Sequence, residues 1–197
     1  MLSSEKIMQN LEFINISNDE FTIFEWKPPR SYKSFVLDLN ILKKNPRSNI
    51  FFHLHKGNMK IVYIRMADLI YSAGSNTEIQ FQLLEALIEE ISKRFNTRYD
   101  IKSYLSYGKF SSNLFDSFKP FVEDVIVNIK NLDLIKEIKV PCMVCDKILS
   151  LVVKRSSIEN AESYPVPIVY DHLGHAILCF IDKNFDVRGV ELVNITG

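Results

Sequence analysis

The chain has 197 residues, of which 47% are hydrophobic, so it can form one large domain or two small ones with a real core. Its 24 basic and 24 acidic side chains cancel, which excludes a global electrostatic attraction to nucleic acid or to an anionic membrane. Three cysteines do not make a secreted disulfide framework, and the chain shows neither a signal-peptide pattern nor a run of about 20 apolar residues. We therefore expect a cytoplasmic protein without a transmembrane segment.

The first third of the chain predicts short strands in hairpin succession. Residues 5–16 fit either a short helix or a strand. Pro28-Pro29 stops the first clear strand, and Lys56-Gly57-Asn58 fits a hairpin turn. Strands joined in this way predict an antiparallel sheet. The predicted strands are 21–26, 34–39 and 49–55.

The run from residue 60 to residue 95 predicts a strand, a tight turn and a helix. Branched and aromatic residues indicate the strand over 60–71, small residues indicate the turn over 72–76, and Ser75-x-x-Glu78 fits a capping box. Apolar and charged residues alternate at helical spacing over 79–95, so we expect one buried stripe and one polar face open to partners. The apolar positions are Leu84, Leu87, Ile88, Ile91 and Phe95, and the charged ones are Glu85, Glu89, Glu90, Lys93 and Arg94.

A second helix is predicted after a polar joint at 96–98. Residues 100–107 fit a strand or a loop. Ser111 or Ser112 would cap the helix, and Pro120 inside its apolar pattern predicts a break or kink.

The character of the chain changes after Lys136, and the rest predicts a small all-β unit. The segments 138–153 and 165–170 are strand-like, and a turn at 182–186 separates strands at 175–181 and 187–193. The predicted fold class is α+β. An antiparallel sheet flanked by helices over residues 1–137 is followed by a small C-terminal β unit over 138–197.

Two pairs of metal-binding residue types lie in this C-terminal part. Cys142-x-x-Cys145 and His172-x-x-His175 have the short spacing that lets a tight turn aim two ligands at one tetrahedral zinc ion. Gly174 would help the second turn to close. A zinc ion bound by these four residues would stabilise a unit that has little core of its own.

Other interpretations of these residues stay open. Cys179 shares a strand face with His175, so it is either a ligand or a core residue. The cysteines could equally be small buried apolar residues, with histidines that form ordinary hydrogen bonds. A redox-active pair is disfavoured, because strand-forming residues rather than a helix follow Cys145. Asp182-x-Asn184-x-Asp186 lacks the Gly and the distal Glu of a calcium loop and therefore predicts a turn.

The middle of the chain resembles a known family. The run 60–65, with Ala67, Leu69, Tyr71, Glu78, Leu84, Leu87 and Phe95, resembles longin-type domains, in particular the small chains of clathrin-adaptor complexes. The resemblance covers about residues 60–118, and the related roadblock fold is the alternative. Both families imply scaffolds without an active site that dock small GTPases, trafficking factors or one another. An archaeal scaffold that acts with Ras-like or Arf-like GTPases would fit this resemblance.

These observations predict a non-enzymatic protein-interaction module. The chain has no phosphate-binding loop, no GxGxxG and no nucleophile elbow, and we expect no catalytic residue. The expected partner is a protein, either a small GTPase or a second copy of the chain, and the expected surfaces are a strand edge and the helix at 79–95. The alternative is a zinc-ribbon regulator that binds nucleic acid through the C-terminal unit.

Overall fold

The computed structural model of the chain describes residues 3–29, 47–106, 114–172 and 174–193. Within these ranges, the side chains of Lys102, Leu105, Ser106, His172 and His175 are outside the description. Contacts divide the described residues into two units. The first unit contains the residues before Gln80 together with Leu84–Asn128, and the second contains Gln80–Leu83 together with the residues from Ile129 onward. The domain division at 137 stays a prediction.

The first unit is built on a five-stranded antiparallel sheet, and the α+β class is confirmed. Its strands lie in the order β2-β1-β5-β4-β3. The predicted strand at 34–39 lies outside the described residues. The elements of this unit are α1 (Ser4–Asn10), β1 (Leu11–Ser17), β2 (Thr22–Trp26), β3 (Phe51–Lys56), β4 (Met59–Met66), β5 (Leu69–Asn76), α2 (Phe81–Arg98) from Leu84 onward, α3 (Ile101–Ser106), a 3₁₀ turn (Asp116–Phe118) and α4 (Lys119–Asn128).

The hairpin turn predicted at Lys56-Gly57-Asn58 is confirmed. Lys56 pairs with Met59 across a two-residue loop, and Gly57 has φ +59°. A residue with a side chain adopts that backbone conformation only with strain, so glycine suits this position.

The single strand predicted over 60–71 is wrong, because the chain reverses inside it. Met66 pairs with Leu69, so Ala67 and Asp68 form the turn between β4 and β5. Ala67 has φ +50°, a backbone conformation that alanine rarely adopts. No sequence pattern indicated a turn at this position. The predicted turn at 72–76 lies instead inside β5, which is hydrogen-bonded on both sides.

Small residues occupy the middle of β5 for a packing reason. The Phe13 ring lies directly over Gly74 on the neighbouring strand, and a Cβ atom at position 74 would overlap it. Small side chains that look like a turn in the sequence therefore accommodate a large neighbour in the sheet.

The central helix α2 is also different from its prediction. Every residue from Gln82 to Ile88 is buried, including Glu85, which is only 5% exposed. The expected open polar face is therefore wrong for Glu85. The capping box is not formed, because Ser75 Oγ donates to the carbonyl oxygen of Asn76 and the Glu78 N–H donates to Asn76 Oδ1.

An aromatic cluster surrounds Phe95 near the end of α2. Its ring centroid lies 4.9 Å from Tyr99, 5.4 Å from Phe115 and 5.0 Å from Phe118. Tilted and edge-to-face pairs of this kind add to the free energy gained from burial. Phe24 on β2 joins the cluster, 5.4 Å from Phe118.

The segment after α2 is helical where a strand or loop was predicted, since α3 covers Ile101–Ser106. Pro120 lies at the second position of α4, so the helix begins at the place where a break was expected. Proline is tolerated there because the first turn has no partner for its backbone N–H groups. The proposed caps Ser111 and Ser112 are outside the described residues.

The second unit contains two antiparallel sheets. The predicted strands at 175–181 and 187–193 and the turn between them are confirmed. One sheet pairs β6 with β7, and the other has the order β10-β9-β8. The elements are β6 (Ile135–Pro141), β7 (Ile148–Lys154), α5 (Arg155–Glu159), β8 (Val166–His172), β9 (His175–Ile181) and β10 (Val187–Val193).

Two glutamine side chains form hydrogen bonds with the edge of β7 that does not pair with β6. Gln80 Nε2 donates to the carbonyl oxygen of Ser150 at 3.0 Å, and Gln80 Oε1 accepts from the Val152 N–H at 2.7 Å. Gln82 Oε1 accepts from the Lys154 N–H at 3.1 Å. The two glutamines thus occupy hydrogen-bonding positions that a neighbouring strand would otherwise fill.

No helix of the described residues is both long enough and apolar enough to cross a membrane.

Candidate functional site

The β6–β7 turn carries the cysteine pair. The Cys142 N–H donates to the carbonyl oxygen of Lys147 at 2.8 Å, and the Asp146 N–H donates to the carbonyl oxygen of Cys142 at 3.0 Å. Asp146 has φ +56°, so an aspartate takes the left-handed conformation that glycine usually supplies. Cys142 is 1% exposed, Cys145 is partly buried, and neither forms a disulfide. The backbone therefore folds this pair into a tight, closed turn.

The β8–β9 turn carries the histidine pair. His172 and His175 are partners in the strand register, and Gly174 between them has φ +83°. Their side chains lie outside the described part of the chain. Among the side chains that are described, no group of three or more candidate metal ligands comes together.

Several contacts join the two sheets at one end of the second unit. Lys136 Nζ donates to the carbonyl oxygen of Asn184 at 3.3 Å. The cations of Lys136 and Arg155 lie 4.9 Å and 5.2 Å from the centre of the Phe185 ring. The turn at 182–186 therefore lies beside the open end of the β6–β7 hairpin, where β6 begins and β7 ends.

The two sheets are also joined part-way along β8. The Tyr170 hydroxyl donates to the carbonyl oxygen of Val152 on β7 at 2.9 Å.

The two sheets share one buried core. Cys142 continues the inward-facing positions of β6 and belongs to that core. The buried residues shared by the two sheets are Ile138, Val140, Cys142, Leu149, Leu151, Val153, Ile158, Ile168, Tyr170, Ile177, Cys179, Ile181 and Phe185.

Cys179 occupies a core position. It is fully buried between Ile168 and Val190 in the middle of its sheet, and burial raises the pKa of its thiol to about 11. Its Cα atom is four residue steps along the strand from that of His175, about 13 Å at the usual rise. Ligands at about 2.0–2.3 Å from one zinc ion do not reach that far apart. The position therefore favours the core interpretation of Cys179.

The Asp182 side chain organises the last turn. Its Oδ1 accepts from the N–H groups of Asn184 at 2.8 Å and Asp186 at 3.0 Å, and its Oδ2 accepts from Arg188 Nε at 2.6 Å. Burial opposes the charged form, but these hydrogen bonds and the Arg188 charge prevail and lower the pKa of Asp182. The carboxylate is thus engaged in the turn, as the sequence pattern predicted.

An exposed apolar surface, which the sequence analysis missed, lies at the tip of the β6–β7 hairpin. Met143, Val144 and Ile148 are 69%, 52% and 68% exposed, and exposed Pro141 is the register partner of Ile148. We call these four residues the hairpin apex. Met143 and Val144 are the two positions between the cysteines, so the turn that buries Cys142 displays them outward.

A groove of about 490 Å³ opens in the first unit, between the β4–β5 turn and the end of α2. Its polar groups are already engaged in part, since Asn96 Oδ1 accepts from the Tyr71 hydroxyl and Asp100 accepts from Ser103. No nucleophile pairs with a base among the described residues that line it. The lining residues are Met66, Ala67, Asp68, Leu69, Asn96, Thr97, Tyr99, Asp100 and Ile101.

No protein-family model matches this sequence, and no curated protein matches it either.

Proposed function

We propose that the protein is a non-enzymatic interaction module that binds a protein partner through the hairpin apex. The observation that carries this proposal is the exposure of Met143, Val144 and Ile148 at the tip of one hairpin. Single exposed apolar side chains are ordinary, but several together with a polar rim are typical of a protein-interaction surface. Exposed Lys139 and Lys147 supply part of that rim.

The longin or roadblock resemblance supplies the class of partner. Two residues that carry the resemblance form contacts within the fold of the first unit. Phe95 is the centre of the aromatic cluster, and Arg65 forms an ion pair with Asp19 through two hydrogen bonds of 2.6 Å and 3.1 Å. These positions support a scaffold of that kind. We therefore propose a small GTPase as the first partner to test and a second copy of the chain as the next.

The structure changes which of the two surfaces named in the sequence analysis are candidates for partner binding. Glu85 on α2 is buried and is no longer a candidate contact, whereas Lys93 on the same helix is exposed and stays one. The edge strand β3 stays a candidate, because its side chains are only half-buried or exposed.

Binding assays on apex variants test the proposal. Purified wild type is titrated with candidate small GTPases loaded with GDP or with a GTP analogue, and self-association is followed by sedimentation. We expect Met143→Ser with Val144→Ser to weaken the binding that wild type shows by about tenfold or more, since central apolar side chains dominate interface energies. The matched control replaces the equally exposed Val169 with serine on the same unit.

Equal binding by the apex variant and the Val169→Ser control would overturn the apex assignment. Wild type that binds no GTPase and shows no self-association would overturn the proposed partners. Circular dichroism of each variant separates loss of binding from loss of fold.

Nucleic-acid binding through the C-terminal unit stays an alternative prediction. The hairpin apex does not favour it, because its exposed side chains are apolar. A gel shift that weakens steeply with salt would support the alternative.

A further inference from the structure

We infer that Cys142 and Cys145 form a reversible disulfide that changes the shape of the hairpin apex. The turn at 142–147, which holds the two residues beside each other, is the basis of this inference. Formation of the bond does not depend on the proposed docking function. Only its consequence for a partner bound at the apex rests on that proposal.

The turn brings the two cysteines to neighbouring positions. The Asp146 N–H donates to the carbonyl oxygen of Cys142 at 3.0 Å, which is the hydrogen bond of a single α-helical turn. The three residues that this bond encloses keep negative φ, and the left-handed conformation is adopted at Asp146. Residues three apart on such a turn lie on one side of it, with Cβ atoms about 5–6 Å apart. Cys142 and Cys145 are such a pair.

This spacing is close to the one that a disulfide needs. A disulfide joins Cβ atoms about 3.5–4.5 Å apart, so the two residues must approach each other by about 1–2 Å. Met143 and Val144 connect them and lie mostly in solvent, which leaves room for the movement. Disulfide formation would therefore tighten the turn and move the two side chains at the centre of the apex.

The two thiols differ in their access to solvent. Cys145 is partly buried, whereas Cys142 is 1% exposed and belongs to the core shared by the two sheets. A small oxidant therefore reaches Cys145 first. Cys142 then resolves the adduct, because it is held beside Cys145 and an intramolecular attack has the advantage of proximity.

Glutathione disulfide, a low-molecular-weight disulfide, serves as the oxidant of this step. The Cys145 thiolate attacks one of its sulfur atoms, which releases one glutathione and leaves the other bound to Cys145. The Cys142 thiolate then attacks Cys145 Sγ and displaces the second glutathione. The protein thus loses two electrons and the protons of two thiols, and the oxidant gains both as two molecules of reduced glutathione.

The bond would also be easy to reduce again. It forms only when the turn is drawn together, and disulfides that are strained or close to solvent are the labile ones. Strands border the turn on both sides, so the pair lacks the helix that carries the cysteines of a thioredoxin-type catalyst. The arrangement therefore suits a reversible switch rather than an oxidoreductase site.

Thiol trapping on the full chain tests the inference. Purified protein is freed of metal with a chelator, so that no ion protects the thiols, and is equilibrated with mixtures of reduced and oxidised glutathione. It is then quenched with acid and alkylated in denaturant, and mass spectrometry counts the alkylated thiols. We expect alkylation of all three cysteines in reduced wild type and of Cys179 alone in oxidised wild type, without bound glutathione. Cys179→Ala is the matched control for loss of a thiol and should oxidise as wild type does.

Two serine variants test the order of attack. Cys142→Ser removes the resolving thiol and should accumulate glutathione on Cys145. Cys145→Ser removes the accessible thiol and should stay reduced at the same oxidant concentration. Because Cys145 is only partly buried, its replacement is the milder change, and its result stands even where the buried substitution disturbs folding.

Methyl NMR tests the change of shape in the absence of a partner. Selective labelling of methionine and valine methyl groups gives signals for Met143 and Val144, and oxidation should shift both. The signals of Val169, which is equally exposed on the same unit, should keep their positions.

Several results would overturn the inference. They are wild type that stays reduced in excess glutathione disulfide, wild type that keeps bound glutathione without closing the disulfide, a disulfide that involves Cys179, or a disulfide that leaves the Met143 and Val144 signals unchanged. Glutathione that accumulates in Cys145→Ser rather than in Cys142→Ser would overturn the order of attack. Because none of these measurements involves a partner, they stay distinct from any failure of the docking proposal.

Discussion

His53 Nε2 lies 2.8 Å from Oε1 of Glu85, and this contact joins the edge strand β3 to the buried interior of α2. The carboxylate is almost completely buried, whereas the imidazole is about two-fifths exposed. A charge in this position is held by its partners and contributes to folding rather than to an open surface.

Charge reversal at Glu85 should therefore unfold the protein rather than only weaken binding. Glu85→Lys places an ammonium group in a site built for a carboxylate and should lower the free energy of unfolding by about 3 kcal/mol or more. Urea denaturation measures this change. Lys93→Glu is the matched control, because Lys93 is exposed on the same helix and its reversal should cost less than about 0.5 kcal/mol. Equal stability of the two variants would contradict the buried role of Glu85.

Gly74→Ala should destabilise the first unit. The added methyl group would overlap the Phe13 ring, which is itself fully buried and cannot swing into solvent. Overpacking of this kind costs about 1–3 kcal/mol. Gly189→Ala is the control, because there the new Cβ would lie 3.4 Å from Phe180, at ordinary contact distance. Thermal unfolding measures the stability of both variants. A Gly74→Ala protein as stable as wild type would show that Phe13 does not constrain this position.

Gln80→Ala should expose the edge of β7. Without the amide, the Val152 N–H and the Ser150 carbonyl lose their partner, at a cost of about 1–3 kcal/mol if no water replaces it. Hydrogen exchange should become faster at the Val152 amide. Gln82→Ala should instead affect the Lys154 amide and leave Val152 protected, so each variant is the control for the other. Unchanged exchange in both would rule out the side-chain caps.

Alkaline pH should weaken the second unit through Cys179. Burial raises the pKa of this thiol from its ordinary 9.0 to about 11. The unfolded chain therefore releases this proton at lower pH than the folded chain does. The contribution to stability is complete below about pH 9 and falls between pH 9 and pH 11, by up to about 3 kcal/mol.

Urea unfolding between pH 8 and pH 11 tests this pH dependence. Cys179→Ala should show a shallower decline than wild type because it lacks the titrating thiol. Parallel declines would show that other groups dominate. Tyr71 is one such group, since burial raises its pKa as well, against the opposing effect of the Asn96 hydrogen bond.

The parts of the fold that the sequence predicted are those with local causes. The apolar run of β9 and the polar turn at 182–186 marked β9 and β10, and the Gly57–Asn58 turn carried its own signal. The Ala67–Asp68 turn has no such signal, because an alanine was forced into a left-handed conformation by the pairing around it. The helix at Phe81–Arg98 showed a polar face in its spacing, yet its glutamate is satisfied by a histidine from a strand about thirty residues earlier.

In the second unit, too, the sequence indicates the features with local causes and misses those that depend on long-range contacts. Spacing alone indicated the two ligand pairs, because each pair is local. The contacts that join the two sheets, such as Lys136 with Asn184 and Tyr170 with Val152, are long-range and leave no pattern in the sequence. The hairpin apex was missed because Met143 and Val144 look like core residues until the turn around them is known.

The amide cap on β7 has a consequence for how this protein avoids aggregation. An uncapped strand edge recruits foreign strands, and the other edges of the second unit carry familiar deterrents: lysines at 136 and 139 on β6, Pro167 in β8 and a bulge at the start of β10. Among the described strands of this unit, β7 is the one whose free edge binds side chains from a distant part of the chain. Gln80 and Gln82 precede β7 in the sequence, so during synthesis both are available to bind this edge as soon as the strand forms.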